Sequence, residues 1–257
     1  MATGSRVQLD SARSFLNELE LPPLPEGLVF RDSQQVSAPT DGQSSAYVNA
    51  GSVVSFVSGV SSSNQTDVLH TTLLAQLAAN RKFDRETDTV SWYKFYRSVL
   101  ENVGWVLQDF DFTEYSAGGK AFTMDQAVLA ILAAAAAQNE FLVIKAAIDA
   151  AKGLADKNDG RIALFDAASS RGTKGAFQLG VASETNNVVA MKLGAFYFTT
   201  GTSITKVLWF KFSSKQSSLY QSSQSVTLDS GVYANIRSDV EQKLGDRTKQ
   251  FLATIEL

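Results

Sequence analysis

The sequence contains no cysteine and a single histidine, His70, in 257 residues. The first absence excludes disulfides, thiolate nucleophiles, thiolate metal sites and S-acylation in any compartment. The second leaves no set of imidazoles for zinc, and any Ser–His arrangement must pass through His70. That residue follows Leu69 on a predicted helix, with no serine in a strand-to-helix elbow to pair with it. It reads as a structural or surface histidine. Proline is scarce as well: Pro22, Pro23, Pro25 and Pro39 all lie in the first forty residues. Positive charge is not in excess either, with 23 Lys and Arg against 26 Asp and Glu and a net charge of −3. The isoelectric point near 5.3 agrees. A nucleic-acid surface needs a basic stripe to hold phosphates, so no nucleic-acid partner is expected. The start, "MATGSRVQLDSARSFL", lacks the apolar core of a secretory signal. Synthesis in the cytoplasm is expected, with release by another export route or by lysis.

Long hydrophobic runs are also missing. The most hydrophobic stretch is "AVLAILAAAAAQNEFLVIKAAIDAA", Ala127–Ala151, and its unbroken apolar part ends at Ala137. A bilayer-spanning helix needs roughly 20 apolar residues. Gln138, Asn139 and Glu140 interrupt the run, and Lys145 and Asp149 give its second half a polar face. The stretch reads as two packed helices meeting at Asn139, whose alanines permit close backbone approach.

What is present is enough apolar residue, 44%, to bury a sizeable core. Arg6–Glu20 reads as a short helix that "LPPLPEG" ends, followed by a polar loop. Residues 1–45 form this helix and Pro-rich arm, and 46–257 a single domain or two intertwined halves, 46–120 and 121–257. Tyr47–Val57 has strand composition. Asn64 or Thr66 is placed to cap a helix through Asn80. Asp88 is placed to cap another, with Trp92, Phe95, Tyr96, Val99, Leu100 and Val103 as its apolar stripe and Gly104 as its end. "WVLQDFDF" alternates like a strand, "SAGGK" is a turn, and Thr123 or Asp125 starts the Ala-rich helix. From Arg161 on, "RIALFDAAS", "GAFQLGVAS", "NVVAMKLGAFYFTT" and "ITKVLWFKFSS" read as an antiparallel meander, "SVTLD" as a last strand, and the remainder as a helix with a tail. Phe196 and Phe198 oppose Tyr197, while Leu208, Phe210 and Phe212 oppose Val207 and Trp209. Strands apolar on both faces are covered on both sides. The fold class is α+β: a layered domain with an antiparallel meander between helices.

Three clusters are candidates for chemistry. Asp109 and Asp111, with Glu114 nearby, share a strand face and can hold a divalent cation or act as an acid/base pair. Plain alternation, with Phe110 and Phe112 inward, produces the same pattern, so no metal site is assigned. Arg171 and Lys174 in "SSRGTKG" are candidates for anionic headgroups, although the loop lacks phosphate-loop spacing and a following helix. The aromatic series through Phe196, Trp209 and Phe210 has too few basic neighbours to read RNA. No catalytic residue and no cofactor emerges.

The order of an Ala-rich helix pair, "VVAMKLGAFYF…KVLWFKF" and "SSLY…SVTL", over Ala146–Leu228, resembles the C-terminal half of the Cyt-type cytolytic δ-endotoxins. There, helix layers wrap a sheet and then engage membranes. In length and α/β content the whole chain is also similar to the Erwinia virulence factor family. That family carries an acyl chain on a cysteine, which this sequence lacks, so the anchor does not transfer. The lack of a catalytic constellation, the hydrophobic helix pair Ala127–Ala151 and the toxin resemblance together point to a non-enzymatic, toxin- or virulence-like protein with a lipid membrane as partner. No functional residue is carried over from either family. Leu132, Phe141, Ile144, Trp209 and Phe210 are its candidate membrane-contacting residues, and release of the Thr123–Ala155 helix pair is its expected act. A self-assembling module, docking through Leu21–Leu28 and "FLATIEL" as a homo-oligomer, and a protein binding a small apolar ligand are the alternatives.

Overall fold

The computed structural model describes residues 2–24, 37–117, 120–212 and 217–257. The chain begins with helix α1 (Ala2–Glu18) and the hairpin β1 (Ser45–Asn49) and β2 (Ser52–Phe56). Next come α2 (Ser62–Lys82) and α3 (Thr89–Asn102), then the short strands β3 (Trp105–Val106), β4 (Thr113–Glu114) and β5 (Phe122–Thr123). A helical run follows: α4 (Met124–Ala135), α5 (Gln138–Asp156) and α6 (Gly160–Ser169). Strands β6 (Ser170–Arg171), β7 (Lys174–Thr185), β8 (Val188–Thr199), β9 (Lys211–Phe212) and β10 (Ser218–Leu228) complete the centre. Helices α7 (Ser230–Ala234), α8 (Arg237–Leu244) and α9 (Arg247–Phe251) lead into strand β11 (Leu252–Ile255).

The sheet runs β11-β1-β2-β7-β8-β10-β3, with β4 on β10 and β6 on β7. Strands β7, β8 and β10 form the antiparallel meander expected from the sequence. Between β7 and β8, Asn186 and Asn187 take positive φ of 51° and 64°, the left-handed pair that a two-residue hairpin turn requires. The sheet as a whole is mixed, because β2 pairs with β7 in parallel across the intervening helices. Alternation assigns its faces. Phe177 stacks on Phe196 at 4.9 Å and meets Phe165 of α6 on one face. On the other face Tyr93 of α3 accepts a hydrogen bond from Gln178 Nε2 at 3.1 Å. Helices therefore cover both faces, as strands buried on both sides demand.

Several stretches depart from the sequence reading for local reasons. Tyr47–Val57 is not one strand but most of the β1–β2 hairpin, turned at Ala50 (φ 50°) and Gly51. The N-cap of α2 is Ser61, whose hydroxyl accepts from the Asn64 N–H, in place of Asn64 or Thr66. "RIALFDAAS" is helix α6, not a strand: Ile162, Phe165 and Ser169 are its buried positions, at helical spacing, and Asp159 caps it through the Arg161 N–H. Among the described residues of "ITKVLWFKFSS", only Lys211–Phe212 is strand, because backbone groups of residues 207–210 are engaged elsewhere. "WVLQDFDF" is strand only at Trp105–Val106. The last meander strand starts at Ser218, earlier than "SVTLD" suggested. "FLATIEL" is no loose tail, since Leu252–Ile255 pairs with β1. Gly118 and Gly119 of "SAGGK", and residues 25–36 of the Pro-rich arm, lie outside the described residues.

Candidate functional site

The Ala-rich stretch folds into a helical hairpin, α4 and α5, but the break falls at Ala136–Ala137, ahead of Asn139. The break has a chemical cause. Glu140 reaches back to accept from the Ala137 N–H at 2.8 Å, which caps the new helix. The same buried carboxylate accepts from Ser183 Oγ of β7 at 3.1 Å. One side chain thus starts α5 and ties it to the sheet.

Met124, Ala127, Val128 and Leu132 form the buried face of α4, and Ile144, Ala147, Ile148, Ala151 and Ala155 that of α5. Leu132 sits over Gly194, where a Cβ would stand 3.2 Å from its Cδ2 and 2.9 Å from the Phe196 ring. The absent side chain at 194 lets α4 lie close on β8.

The outer face of the hairpin is unusual. Between Asp125 and Lys145 the only charged residue is Glu140, and it is buried. Ala130, Ala133, Ala134 and Ala137 are exposed, Leu142 is 57% exposed, and Leu129, Ile131, Phe141 and Val143 are half-buried. A charge-free surface, apolar except for the exposed Gln138 and Asn139, therefore wraps the tip where α4 turns into α5.

Both outer ends of the hairpin are tethered. At the start of α4, the Met124 N–H donates to Phe210 O at 3.0 Å and the Asp125 N–H to Leu208 O at 2.8 Å. Thr123 N–H donates to Gln126 Oε1 at 3.0 Å. At the end of α5, Lys206 Nζ donates to Ala155 O at 3.0 Å. Asp166 of α6 accepts from the Val207 N–H at 2.9 Å and so fixes the segment that supplies these contacts.

Burial pushes the Asp166 carboxyl up to about 6, against the opposing pull of the Val207 N–H and Lys206. A raised folded-state value means stability that is fully present below about pH 3.8 and is lost as pH rises through about 6. Asp166→Asn removes that loss and keeps an oxygen for Val207. It is expected to raise stability at pH 8 by about 1–2 kcal/mol, a figure reduced for the group's partial exposure, and to change nothing at pH 4. Urea unfolding at the two pH values checks this. His70, on α2, works the other way. Burial lowers its basicity more than Glu241 and Asp67 raise it. Its share of stability is present above about pH 6.5 and falls as pH drops through the depressed value. His70→Gln is expected to flatten that acid limb of a melting-temperature profile.

Of the residues singled out in the sequence, Leu132, Phe141 and Ile144 come together on the hairpin. Leu132 and Ile144 face the sheet at 1% exposure, while Phe141 is half-buried. Trp209 and Phe210 belong to the segment anchoring α4, and Phe210 packs on Phe198 and Phe212. Arg171 and Lys174 face each other across the β6–β7 hairpin. Arg171 is not free, since it pairs with Asp84 at 3.0 Å and Glu86 at 3.7 Å. Asp109 pairs with Arg97, and Asp111 and Glu114 are exposed. Among the described residues no group of three His, Cys, Asp or Glu side chains is placed to hold a metal ion. No described helix is long and apolar enough to cross a membrane. Sequence reasoning missed the anchoring role of residues 206–210 and the Glu140 tie. The capping spacing from Ala137 to Glu140 was the available signal for the second.

These features define a layered α+β domain with a helical hairpin on one face of a mixed sheet. No protein family and no curated protein matches the sequence. Among solved structures, the chain is similar to a delta-endotoxin at 11% identity and a TM-score of 0.40, covering 81% of this chain and 90% of that one. It is also similar to the Evf virulence factor at 9% identity and a TM-score of 0.33, covering 91% and 88%. The weak resemblance read from the sequence to these two kinds of protein is met again in the structure, and neither neighbour assigns a role to a residue here.

Proposed function

We propose that this chain is a non-enzymatic, toxin- or virulence-like protein that acts on membranes through the α4–α5 hairpin. The observation that supports the reading is the uncharged, largely apolar surface around the hairpin tip. A surface of that kind, on a hairpin held at both outer ends and by Glu140 just past the turn, suits contact with lipid. At 1.5 Å per residue α4 is about 18 Å long, well short of the ~30 Å hydrocarbon core. The hairpin therefore enters the interfacial zone and does not span. Movement away from the sheet uncovers Leu132 and Ile144, which adds to the area offered to lipid.

A cleavable cross-link tests this. Glu140→Cys and Ser183→Cys place the chain's only two thiols on side chains that touch across α5 and β7. A short bis-thiosulfonate bridge there should block dye release from liposomes, and reductant should restore it. Release that is unchanged while the bridge is intact would sink the mechanism.

A further inference from the structure

Arg85 follows α2 and is 4% exposed, yet it makes no ion pair among the described residues. Its Nη2 donates to Gln178 Oε1 at 2.7 Å and its Nη1 to Ala168 O at 3.1 Å. The guanidinium lies over the Trp92 ring at 4.3 Å. Its Nε–H is buried and has no acceptor. Burying a guanidinium costs several kcal/mol, which a carboxylate normally offsets. Its direct partners are neutral acceptors and a ring face, and Glu86 acts on it only through space, without a salt bridge. The seat is specific: a Cβ on residue 51 would overlap Arg85 Nη1 and stand 2.8 Å from Ala168 O, so Gly51 is required there.

Arg85 also lines a cleft of about 400 Å³, where the end of α2 meets α6 and β6. Arg81, Lys82 and Arg171 share its wall with Asn80 and Phe83. Two carboxylates, Asp84 and Glu86, line it as well, and both face Arg171. Asp84 is further occupied by the N–H groups of Glu86 and Thr87, at 3.0 and 2.9 Å. Four cations against two carboxylates leave two positive charges. Glu20 pairs with Arg81 at 3.1 Å from outside the cleft and reduces that excess to one.

We propose that this cleft binds a phosphate group, as the free dianion or as a phosphomonoester. The positive excess suits an anion, and guanidinium forks suit its oxygens. Phe83, Ala167 and Ala168 give the organic part of an ester an apolar wall. The inference stands apart from the hairpin reading, since a soluble phosphate satisfies it.

Calorimetric titration with sodium phosphate at constant ionic strength tests the proposal. The wild-type chain should bind saturably. Arg171→Gln and Lys82→Gln, both at exposed positions, should each weaken binding about tenfold, the value of a lost charge-assisted contact. Lys174→Gln removes a cation that faces Arg171 but does not line the cleft, and it should bind like wild type. No saturable binding by wild type, or equal weakening by Lys174→Gln and Arg171→Gln, overturns the proposal. Flotation on phosphatidylcholine vesicles with and without phosphatidic acid then separates the sources. Capture that needs phosphatidic acid and Arg171 marks a lipid headgroup, and phosphate binding without capture marks a soluble phosphomonoester. Dye release without phosphate binding would overturn this site and leave the hairpin mechanism standing.

Discussion

Replacing Arg237 by alanine will destabilise the fold by about 3 kcal/mol, the low end for breaking a buried ion pair. The Asp67 carboxylate on α2 is 1% exposed and receives both Arg237 Nε at 2.8 Å and Nη2 at 2.6 Å. This fork joins α2 to the first residue of α8. Without the arginine the carboxylate is left buried among Tyr233 and His70, with no cation to offset its desolvation. Arg237 itself is 36% exposed, which keeps the loss from reaching the upper end of the range. For a chain of this size the loss corresponds to roughly 6–12 °C in melting temperature. The double variant Asp67→Asn, Arg237→Ala should recover part of the loss, because it removes the uncompensated charge as well. A single variant that melts within about 1 °C of wild type would show that solvent reaches Asp67. Urea unfolding of the three chains decides it.

What could be read from the sequence follows a physical boundary. Helix α3 was legible because one stripe is apolar: Trp92, Tyr96, Val99 and Leu100 repeat at three and four residues and are all buried, whereas α2 is buried over most of its surface, Gln65, Asp67, Thr71 and Gln76 included. Strands β7 and β8 were legible because they are long and interrupted by turn residues that must take positive φ. Their burial on both faces correctly implied helices above and below. The failures concern stretches whose backbone is set by distant partners. Residues 204–210 are aromatic and β-branched enough for a strand, yet their backbone groups are taken by Met124, Asp125 and Asp166. Strand β11 depends on pairing with β1, two hundred residues earlier in the chain, which local pattern cannot show. Helix α6 was misread because "RIALFDAAS" is short and apolar enough to fit either period. The hairpin itself was legible because Gln138, Asn139 and Glu140 interrupt the Ala-rich run and Lys145 and Asp149 give its second half a polar face. The phosphate cleft was only half visible: Arg171 drew attention through its glycine-rich loop, whereas Arg85 has no local signal. Its importance comes from burial by Gly51, Ala168 and Gln178, which three separate elements bring to it.

Leu132→Ala separates a membrane element from a plain core helix, because only the membrane reading predicts a gain of activity. The side chain is 1% exposed and packed over Gly194 and the Phe196 ring. Truncation leaves a cavity between α4 and the sheet and should cost about 3 kcal/mol. If α4 and α5 are only core, the variant melts lower and releases no dye. If the hairpin works by leaving the sheet, the docked state alone is weakened, and a larger fraction of molecules has the hairpin free at any moment. Dye release per mole should then rise, and limited proteolysis should cut first near Ala136–Ala137, the break between the helices. Gly194→Val attacks the same seam from the sheet side. Its added methyls meet Leu132 and Phe196, with an overpacking cost of about 1–3 kcal/mol. Both variants should move release in the same direction, and the cross-link between positions 140 and 183 should suppress the gain in each. Matching loss of stability with no change in release, in both variants, would return the hairpin to the core and end the membrane reading.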